Sequence, residues 1–309
     1  MNKKKVLIVL GGTSGERKVS LETGKACLKA LKKLGYKTST FDPKKKPLNL
    51  IDKNKVSKIF NALHGKDGED GIAQSYFEYL KIPYTHSGVI SSHNAMNKII
   101  SKEIFKKYKI KSPKYFSFIK KEFNRSNLNK NIKRKKIKFP IVVKPVNEGS
   151  SIGVKICKNI KILYKSTSSL FKKYPELIFE PFIGGQEIQV AIINGKPLGA
   201  IELRPKRKFY DYKAKYSKAA KTKHIMPALI NKSKYSEVLK IAKKAHKVLG
   251  CKGVTRSDFK FFKNQFYLLE LNTQPGMTSL SLVPEIANYK GITFEKLVEK
   301  ILLNASINR

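Results

Sequence analysis

The sequence predicts an α/β protein that also contains antiparallel sheet, and three observations support this. A short apolar run, Val6–Leu10, leads into a glycine-rich turn and an amphipathic helix, which is the βα unit of an open parallel sheet. Two later apolar runs, Phe259–Phe262 and Phe266–Leu269, flank three polar residues and predict an antiparallel hairpin. At 309 residues, the chain is long enough for two or three domains with separate cores.

The first βα unit places polar residues at the carboxyl ends of strands. Its helix is predicted over residues 20–34, with Ser20 as the N-cap. The turn lacks the spacing of a dinucleotide fingerprint or a P-loop, so we do not expect it to hold the nucleotide. Glu16 would lie in the crevice at the strand end, although a charge at a helix start is common for ordinary reasons. A second strand, Ile59–Leu63, ends at His64, for which a core role and a site role are equally open.

The net charge of +43 raises the hypothesis of a nucleic-acid-binding protein. Only seven of the 65 basic residues are Arg, however, and base readout and bidentate phosphate contacts favour Arg. The lysines are also spread over the whole chain. We therefore predict no specific nucleic-acid partner and interpret most of the charge as solvated surface.

The sequence also predicts a cytoplasmic protein without a membrane segment. No apolar run approaches the roughly 18 residues that a spanning helix needs. The start, Met1–Leu10, imitates a signal peptide, but its apolar part is too short and no cleavage site follows. The cysteines, Cys27, Cys157 and Cys251, form neither a metal spacing nor a disulfide framework, which fits a reducing compartment.

The middle of the chain carries a predicted phosphate site. A helix over residues 96–109 contains Lys98, and a buried strand that begins at Phe139 ends near Lys144. The loop at residues 148–154 follows and is rich in glycine and serine, so it offers backbone N–H groups and hydroxyls to phosphate oxygens. A lysine at the end of the strand adds a point charge. A plain hairpin turn is the alternative.

The next segments contain a candidate base site and a candidate lid. Phe182 and Ile183 end an apolar strand and could either sandwich a base or belong to the core. A hairpin follows around Asn194-Gly195. Residues 205–227 have no clear period and are rich in Lys and Tyr. A loop of that length is either disordered or functional, and its tyrosines favour a lid.

The hairpin near the carboxyl end predicts a metal site. With a three-residue loop, Phe262 faces Phe266 and Asp258 faces Glu270, while Asn272 points to the same side as Glu270. Two adjacent carboxylates repel unless a cation lies between them, and oxygen ligands suit Mg²⁺. A solvated sheet edge is the alternative.

Several motifs together resemble those of D-alanine–D-alanine ligases. They are GGTSGERKVSL at residues 11–21, ALHG at 62–65, GEDG at 68–71, KPVNEGSSIG at 144–153, FYDYKAKY at 209–216 and LELNTQPGMT at 269–278. The resemblance covers essentially the whole chain. It implies a three-domain ATP-grasp fold with an N-terminal open parallel-sheet domain (1–96), a central subdomain (97–183) and a C-terminal subdomain with the lid and the metal site (184–309).

The resemblance further implies that ATP drives the joining of two D-alanines through an acyl phosphate, for peptidoglycan synthesis, usually in a homodimer. The triphosphate would be held by Lys98 and Lys144 at the α- and β-phosphates, by Ser151 in the loop, and by Lys215 at the γ-phosphate. The adenosine would be held by Glu180, Phe182 and Ile183 at adenine and by Glu187 at the ribose. Two Mg²⁺ or Mn²⁺ ions would be held by Asp258, Glu270 and Asn272.

The remaining implied residues surround the two amino acids. Glu16 would hold the first ammonium and hydrogen-bond with Ser150 and Tyr216, and His64 would lie nearby. Arg256 and the Gly276 N–H would stabilise the tetrahedral intermediate. The second carboxylate would meet Ser281 and Leu282.

The chain departs from the family pattern at Pro181, Asn97 and Ser257, where a basic, an acidic and an apolar residue are common. None of these removes a catalytic group. Tyr216 favours amide formation, and the alternative is a ligase that uses D-lactate or D-serine as the second substrate.

Overall fold

The computed structural model describes residues 5–205 and 222–309, and the strands of these residues form three sheets. The N-terminal sheet has the order β2-β1-β3, and both outer strands run parallel to β1. Its strands are β1 (Val6–Val9), β2 (Thr38–Phe41) and β3 (Lys58–Asn61). The predicted open parallel sheet at the N-terminus is therefore confirmed.

The other two sheets are antiparallel. The four-stranded sheet has the order β4-β7-β5-β6, with β4 (Phe116–Ile119), β5 (Ile141–Pro145), β6 (Lys155–Cys157) and β7 (Glu176–Pro181). The five-stranded sheet has the order β10-β9-β8-β11-β12, with β8 (Gln186–Ile193), β9 (Lys196–Arg204), β10 (Lys223–Ile225), β11 (Val254–Phe262) and β12 (Gln265–Asn272).

Nine α-helices occur in the described residues. They are α1 (Arg17–Lys33), α2 (Ile72–Tyr79), α3 (Val89–Met96), α4 (Lys98–Lys107), α5 (Arg125–Lys135), α6 (Ile160–Leu170), α7 (Lys232–Val248), α8 (Leu282–Tyr289) and α9 (Phe294–Leu303). Within these residues, no helix combines the length and the apolar character needed to cross a membrane.

The predicted start of the first helix was wrong. Helix α1 begins at Arg17, and Ser20 lies inside it, fully buried. The Ser20 hydroxyl accepts a hydrogen bond from the Gly11 N–H and donates one to the Ala62 carbonyl, both at 2.7 Å. Serine favours caps because its hydroxyl bonds to nearby backbone. Here the same property ties together the turns that follow β1 and β3.

The helix predicted over residues 96–109 is two helices, α3 and α4. Asn97 separates them, and its side chain accepts hydrogen bonds from the N–H groups of Ile99 and Ile100 at 3.0 and 3.1 Å. Asparagine and aspartate cap helices about equally well, so Asn97 retains the capping function of the more common acid. The cap places Lys98 at the first position of α4.

The metal-site hairpin has a two-residue turn, not three. Phe262 faces Gln265, and the turn residues Lys263 and Asn264 have φ of 48° and 59°. A register shift between Asp258 and Phe259 compensates, so Asp258 does face Glu270. The predicted pair is therefore correct, although the turn and the Phe262–Phe266 pairing were wrong, because a β-bulge cannot be seen in the apolar pattern.

This turn provides a stability prediction. Two consecutive positive φ values favour Asn-Gly, the pair that already forms the β8–β9 turn as Asn194-Gly195. We expect Lys263→Asn with Asn264→Gly to raise the free energy of unfolding by about 1 kcal/mol. The reciprocal change, Asn194→Lys with Gly195→Asn, should lower it. Urea denaturation of both variants measures this, and equal stability would contradict the assignment of the turn.

One apolar core joins the N-terminal sheet to the five-stranded sheet. It contains side chains from β1, α1, β8, β9, α8 and α9. Buried polar contacts reinforce it near the site: the Asn61 amide donates to Gln274 Oε1 at 2.9 Å, and the Met277 N–H donates to the Thr23 hydroxyl at 3.2 Å. The end of β3 and helix α1 are thereby held against the segment that follows β12.

Candidate active site

Two adjoining cavities contain most of the predicted site residues. The first lies between the four-stranded and five-stranded sheets, and the second lies beside it, next to the end of β12. Lys98, Glu148 and Glu270 line both cavities. A ligand in the first cavity would therefore share three charged neighbours with a ligand in the second.

The first cavity has the predicted nucleotide residues on its walls. These are Lys98, Lys144, Ser151, Glu180, Phe182, Ile183 and Glu187. Lys215, which was predicted to reach the γ-phosphate, lies outside the described residues. Val142, Pro145 and Leu269 add apolar surface. A cleft that combines apolar surface with lysines suits a base and its phosphates.

Lys98 is held at the junction of the two cavities. Its ammonium donates hydrogen bonds to the carbonyls of Val146, at 3.4 Å, and Glu148. Burial lowers the pKa of Lys98 to about 8, against the opposing pull of the Glu270 carboxylate. A lysine in this state is charged at neutral pH and loses its charge within an accessible range.

We therefore expect the affinity for ATP to fall as the pH rises through about 8. The Lys98 ammonium attracts phosphate below its pKa and loses that attraction above it. Titration calorimetry with ATP between pH 7 and 9.5 would measure the change, and Lys98→Met should bind more weakly with a flatter pH profile. The same slope in the variant and the wild type would assign the titration to another group.

The loop between β5 and β6 contains two serines with left-handed backbone. Ser150 and Ser151 have φ of 49° and 61°. Such angles are costly for residues other than glycine and cluster at functional loops. They direct the Ser150 hydroxyl towards Glu16, to which it donates the predicted hydrogen bond, while Ser151 lines the first cavity.

Glu187 faces a neighbour that the sequence did not indicate. Its carboxylate lies 3.0 Å from the Lys260 ammonium on the paired strand β11. Lys260 also lines the first cavity. The register that joins β8 to β11 is not visible in either strand alone, which is why this pair was missed.

Glu16 lies 5% exposed at the start of α1, where two glycines make room for it. A β-carbon at Gly65 would lie 2.7 Å from Glu16 Oε2, and one at Gly149 would lie 3.0 Å from it. Gly65 also has a φ of +71°. The glycines of two predicted motifs thus allow the backbone to approach this carboxylate.

Further carboxylates give this region a negative field. The pKa of Glu69 is raised by burial, with a contribution from Glu16, and the pKa of Glu148 is raised by burial and then by Glu16. Both line the second cavity. Both also belong to motifs noted in the sequence, which gave them no individual role. Clustered carboxylates that repel one another favour a bound cation such as an ammonium group.

His64 belongs to the same buried network. Its Nδ1 lies 2.8 Å from Glu69 Oε1, and its Nε2 lies 3.0 Å from the Thr23 hydroxyl. His64 therefore reaches the second cavity through Glu69. His64 is 4% exposed, so it is buried as a core residue would be, although its hydrogen bond to Glu69 connects it to the site.

The predicted metal face is assembled across β11 and β12. Asp258 pairs with Glu270 and Arg256 pairs with Asn272 in the strand register. In the described part of the chain, no three His, Cys, Asp or Glu side chains gather as a metal site. The candidate set is two carboxylates and one amide, all oxygen donors, which fit Mg²⁺ or Mn²⁺.

Arg256 supplies a counter-charge to this face. Its guanidinium donates to both oxygens of Asp258, at 2.7 and 3.0 Å. Asn272 Oδ1 accepts from the Gln274 N–H at 2.7 Å. Each oxygen keeps a second lone pair, so the donor set remains compatible with a hard cation.

The residues predicted for the second carboxylate lie where α8 begins. Ser281 precedes α8, and its hydroxyl accepts from the Thr278 N–H at 2.9 Å. Leu282 is 5% exposed and packs in the core, so its backbone N–H is the group available at the helix start. A β-carbon at Gly276 would lie 2.9 Å from Ser281 Oγ, which brings the predicted intermediate site close to this helix. Tyr216 lies outside the described residues.

The chain also matches known proteins in sequence. The family model for the D-Ala D-Ala ligase C-terminus matches residues 104–303. A D-alanine–D-alanine ligase of Pelagibacter ubique is 58% identical over 306 residues, covering 99% of each chain. The ligase of Citrifermentans bemidjiense is 42% identical and covers 99% of this chain and 98% of its own length.

Solved structures show the same fold. A D-alanine–D-alanine ligase from Bacillus anthracis superposes with a TM-score of 0.86 at 35% identity, and a complex of that ligase with ATP superposes with a TM-score of 0.82 at 30% identity. Each alignment covers 97% of both chains. With this match to the family model, this identity over the whole chain and this shared fold, the chain belongs to the D-alanine–D-alanine ligase family, the ATP-dependent ligases that join D-alanine for peptidoglycan precursors.

Proposed function

We propose that this chain joins two D-alanines through an acyl phosphate, using the two adjoining cavities for the nucleotide and the first amino acid. The observation that carries the proposal is their shared wall of Lys98, Glu148 and Glu270. That wall would bring the γ-phosphate next to the carboxylate it must phosphorylate. Proximity of this kind removes much of the entropic barrier to reaction.

In the first step, the carboxylate of the first D-alanine attacks the γ-phosphorus and ADP leaves. We infer that Glu16, oriented by Ser150, holds the ammonium of this substrate, while Lys98 and Lys144 hold the phosphates. Phosphorylation is needed because oxide is a poor leaving group and phosphate is a good one. Lys215 and Tyr216 are proposed to act from the segment that carries the lid motif.

In the second step, the amine of the second D-alanine attacks the acyl carbon and phosphate leaves. The Gly276 N–H and Arg256 are proposed to stabilise the oxyanion. Arg256 is paired with Asp258 in the structure. To stabilise the oxyanion, its guanidinium would have to leave that carboxylate. Ser281 and the Leu282 N–H would receive the carboxylate of the incoming amino acid.

Asp258, Glu270 and Asn272 are proposed to hold two Mg²⁺ or Mn²⁺ ions, which when bound would neutralise phosphate charge. The fit rests on their shared face and their all-oxygen donors. Phe182, Ile183 and Glu180 are proposed to frame adenine. Glu187 is proposed to contact the ribose together with its partner Lys260.

The domain limits at 1–96, 97–183 and 184–309 are also proposals, supported by the division of the strands into three sheets. A homodimer is proposed from the family resemblance, and light scattering during size-exclusion chromatography would test it. A cytoplasmic location is proposed because Cys27, Cys157 and Cys251 are buried free thiols.

Phosphate release with ATP, Mg²⁺ and D-alanine tests the function. We expect stoichiometric phosphate, ADP and dipeptide, with D-lactate and D-serine as poor second substrates. If no phosphate is released when D-alanine is the only amino acid supplied with ATP and Mg²⁺, the proposal is refuted. Faster ester formation with D-lactate would instead support the alternative depsipeptide activity. Any binding to DNA should weaken steeply with salt, as expected from net charge alone.

A further inference from the structure

A buried lysine that lies outside the nucleotide cavity contacts one of that cavity's carboxylates. Lys102 is 1% exposed and lies one helical turn after Lys98 on α4. Its ammonium is 2.8 Å from Glu180 Oε1 and 3.4 Å from the Pro113 carbonyl. Glu180 lines the nucleotide cavity, whereas Lys102 lines a separate cleft beside α4 and α5.

Glu180 is shared between two lysines. Its other oxygen, Oε2, lies 2.9 Å from the ammonium of Lys144, and Glu180 itself is 3% exposed. The contact between Lys102 and Oε1 is therefore a buried ion pair. Burial acts to raise the pKa of Glu180, but the two lysines outweigh it and hold the pKa below its ordinary value. Glu180 is therefore a carboxylate.

The charges of these three groups determine what Lys144 can offer a phosphate. Burial lowers the pKa of Lys102, while the Glu180 carboxylate acts to raise it. With Lys102 charged, two ammoniums share one carboxylate, and a net positive charge remains at the cavity wall. Without Lys102, Glu180 and Lys144 would neutralise each other. Because the pair is buried, little solvent would screen this difference.

We propose that Lys102 is a positioning residue, which balances Glu180 from behind the cavity wall so that Lys144 keeps its charge for the phosphates of ATP. This inference rests on the proposed role of Lys144. An alternative is that Lys102 only fills space and stabilises the packing of α4 on β7. The two roles differ in their effect on ligands with and without phosphate.

Lys102→Met tests the proposal, because methionine retains most of the apolar stem and removes the charge. We expect the Kd for ATP and ADP, and the KM for ATP, to rise at least about tenfold, since one buried charge behind the phosphate-binding wall is lost where the effective dielectric is about 20. The Kd for adenosine should stay within about twofold, because adenosine has no phosphate. The turnover number at saturating ATP should change less than KM does.

The second variant is Glu180→Gln with Lys102→Met. Once the carboxylate is neutral, Lys144 needs no balancing charge, so the ratio of ADP to adenosine affinity should return towards that of the wild type. Lys106→Met is the matched control, because Lys106 lies one turn further along α4 with 79% of its side chain exposed and pairs with Glu103 at 3.8 Å. It should bind all ligands as the wild type does.

Equal losses of ADP and adenosine affinity in Lys102→Met would overturn the proposal in favour of a packing role, as would unchanged ADP affinity. No restoration in the double variant would also overturn it. These outcomes are separate from the failure of the proposed function, which would appear as a wild-type protein that forms no dipeptide.

Discussion

Glu270→Gln is expected to lower the turnover number by at least about a thousandfold, because several kcal/mol of transition-state stabilisation would be lost with the metal ligand. Glu270 lies at the junction of the two cavities and faces Asp258 across the strand pair. Glutamine has nearly the same size, so the fold should persist. Phosphate-release assays would measure activity, and circular dichroism would measure folding. The affinity for ADP with and without Mg²⁺ would show whether the metal is still bound.

The matched control for this substitution is Glu237→Gln. Glu237 lies on α7 and forms a surface pair with Lys234 at 2.7 Å. Its loss should change turnover by less than twofold, because exposed ion pairs contribute little. Activity of Glu270→Gln near that of the wild type would refute the proposed metal site even if the protein proves to be a ligase.

Glu16→Gln should raise the KM for the first D-alanine by roughly a hundredfold, because truncating a buried charge that pairs with a ligand typically costs 2–5 kcal/mol. The amide of the variant could still meet the Ser150 hydroxyl, so the loop between β5 and β6 should keep its place. The affinity for ATP should stay nearly unchanged. Initial rates over a range of D-alanine concentrations, with ATP saturating, would measure the effect.

Glu22→Gln provides the comparison for Glu16, since Glu22 lies on the same helix with an exposed side chain. It should leave both KM values unaltered. If Glu16→Gln changed the KM for ATP as strongly as that for D-alanine, the ammonium-binding role would be wrong and a general effect on the cavity would be indicated.

Residues within local motifs were predicted from the sequence, whereas partners set by tertiary packing were not. Glu16 and Ser150 lie in glycine-rich turns that follow β1 and β5, and Lys144 lies at the end of β5, so each could be located from its own segment. Lys102 lies in the interior of a helix, and its contact with Glu180 depends on how α4 lies against β7. No periodicity in either segment encodes that contact.

The strand pairing was the second feature that the sequence predicted only in part. Asp258 and Glu270 were paired correctly, yet the turn was one residue shorter than predicted and a bulge restored the pairing. Hydrophobic alternation shows which residues share a face of one strand, but it does not locate an unpaired residue. The apolar pattern also failed to show the helix boundary at Asn97, whose cap divides one predicted helix into two.

The wall formed by Lys98, Glu148 and Glu270 has a thermodynamic consequence. Whatever fills one cavity alters the electrostatic potential felt in the other, and such coupling must be equal in both directions. Nucleotide and amino acid should therefore change each other's affinity by the same factor. A molecule that spans both compartments would gain from this coupling in addition to the gain that comes from linking its two halves.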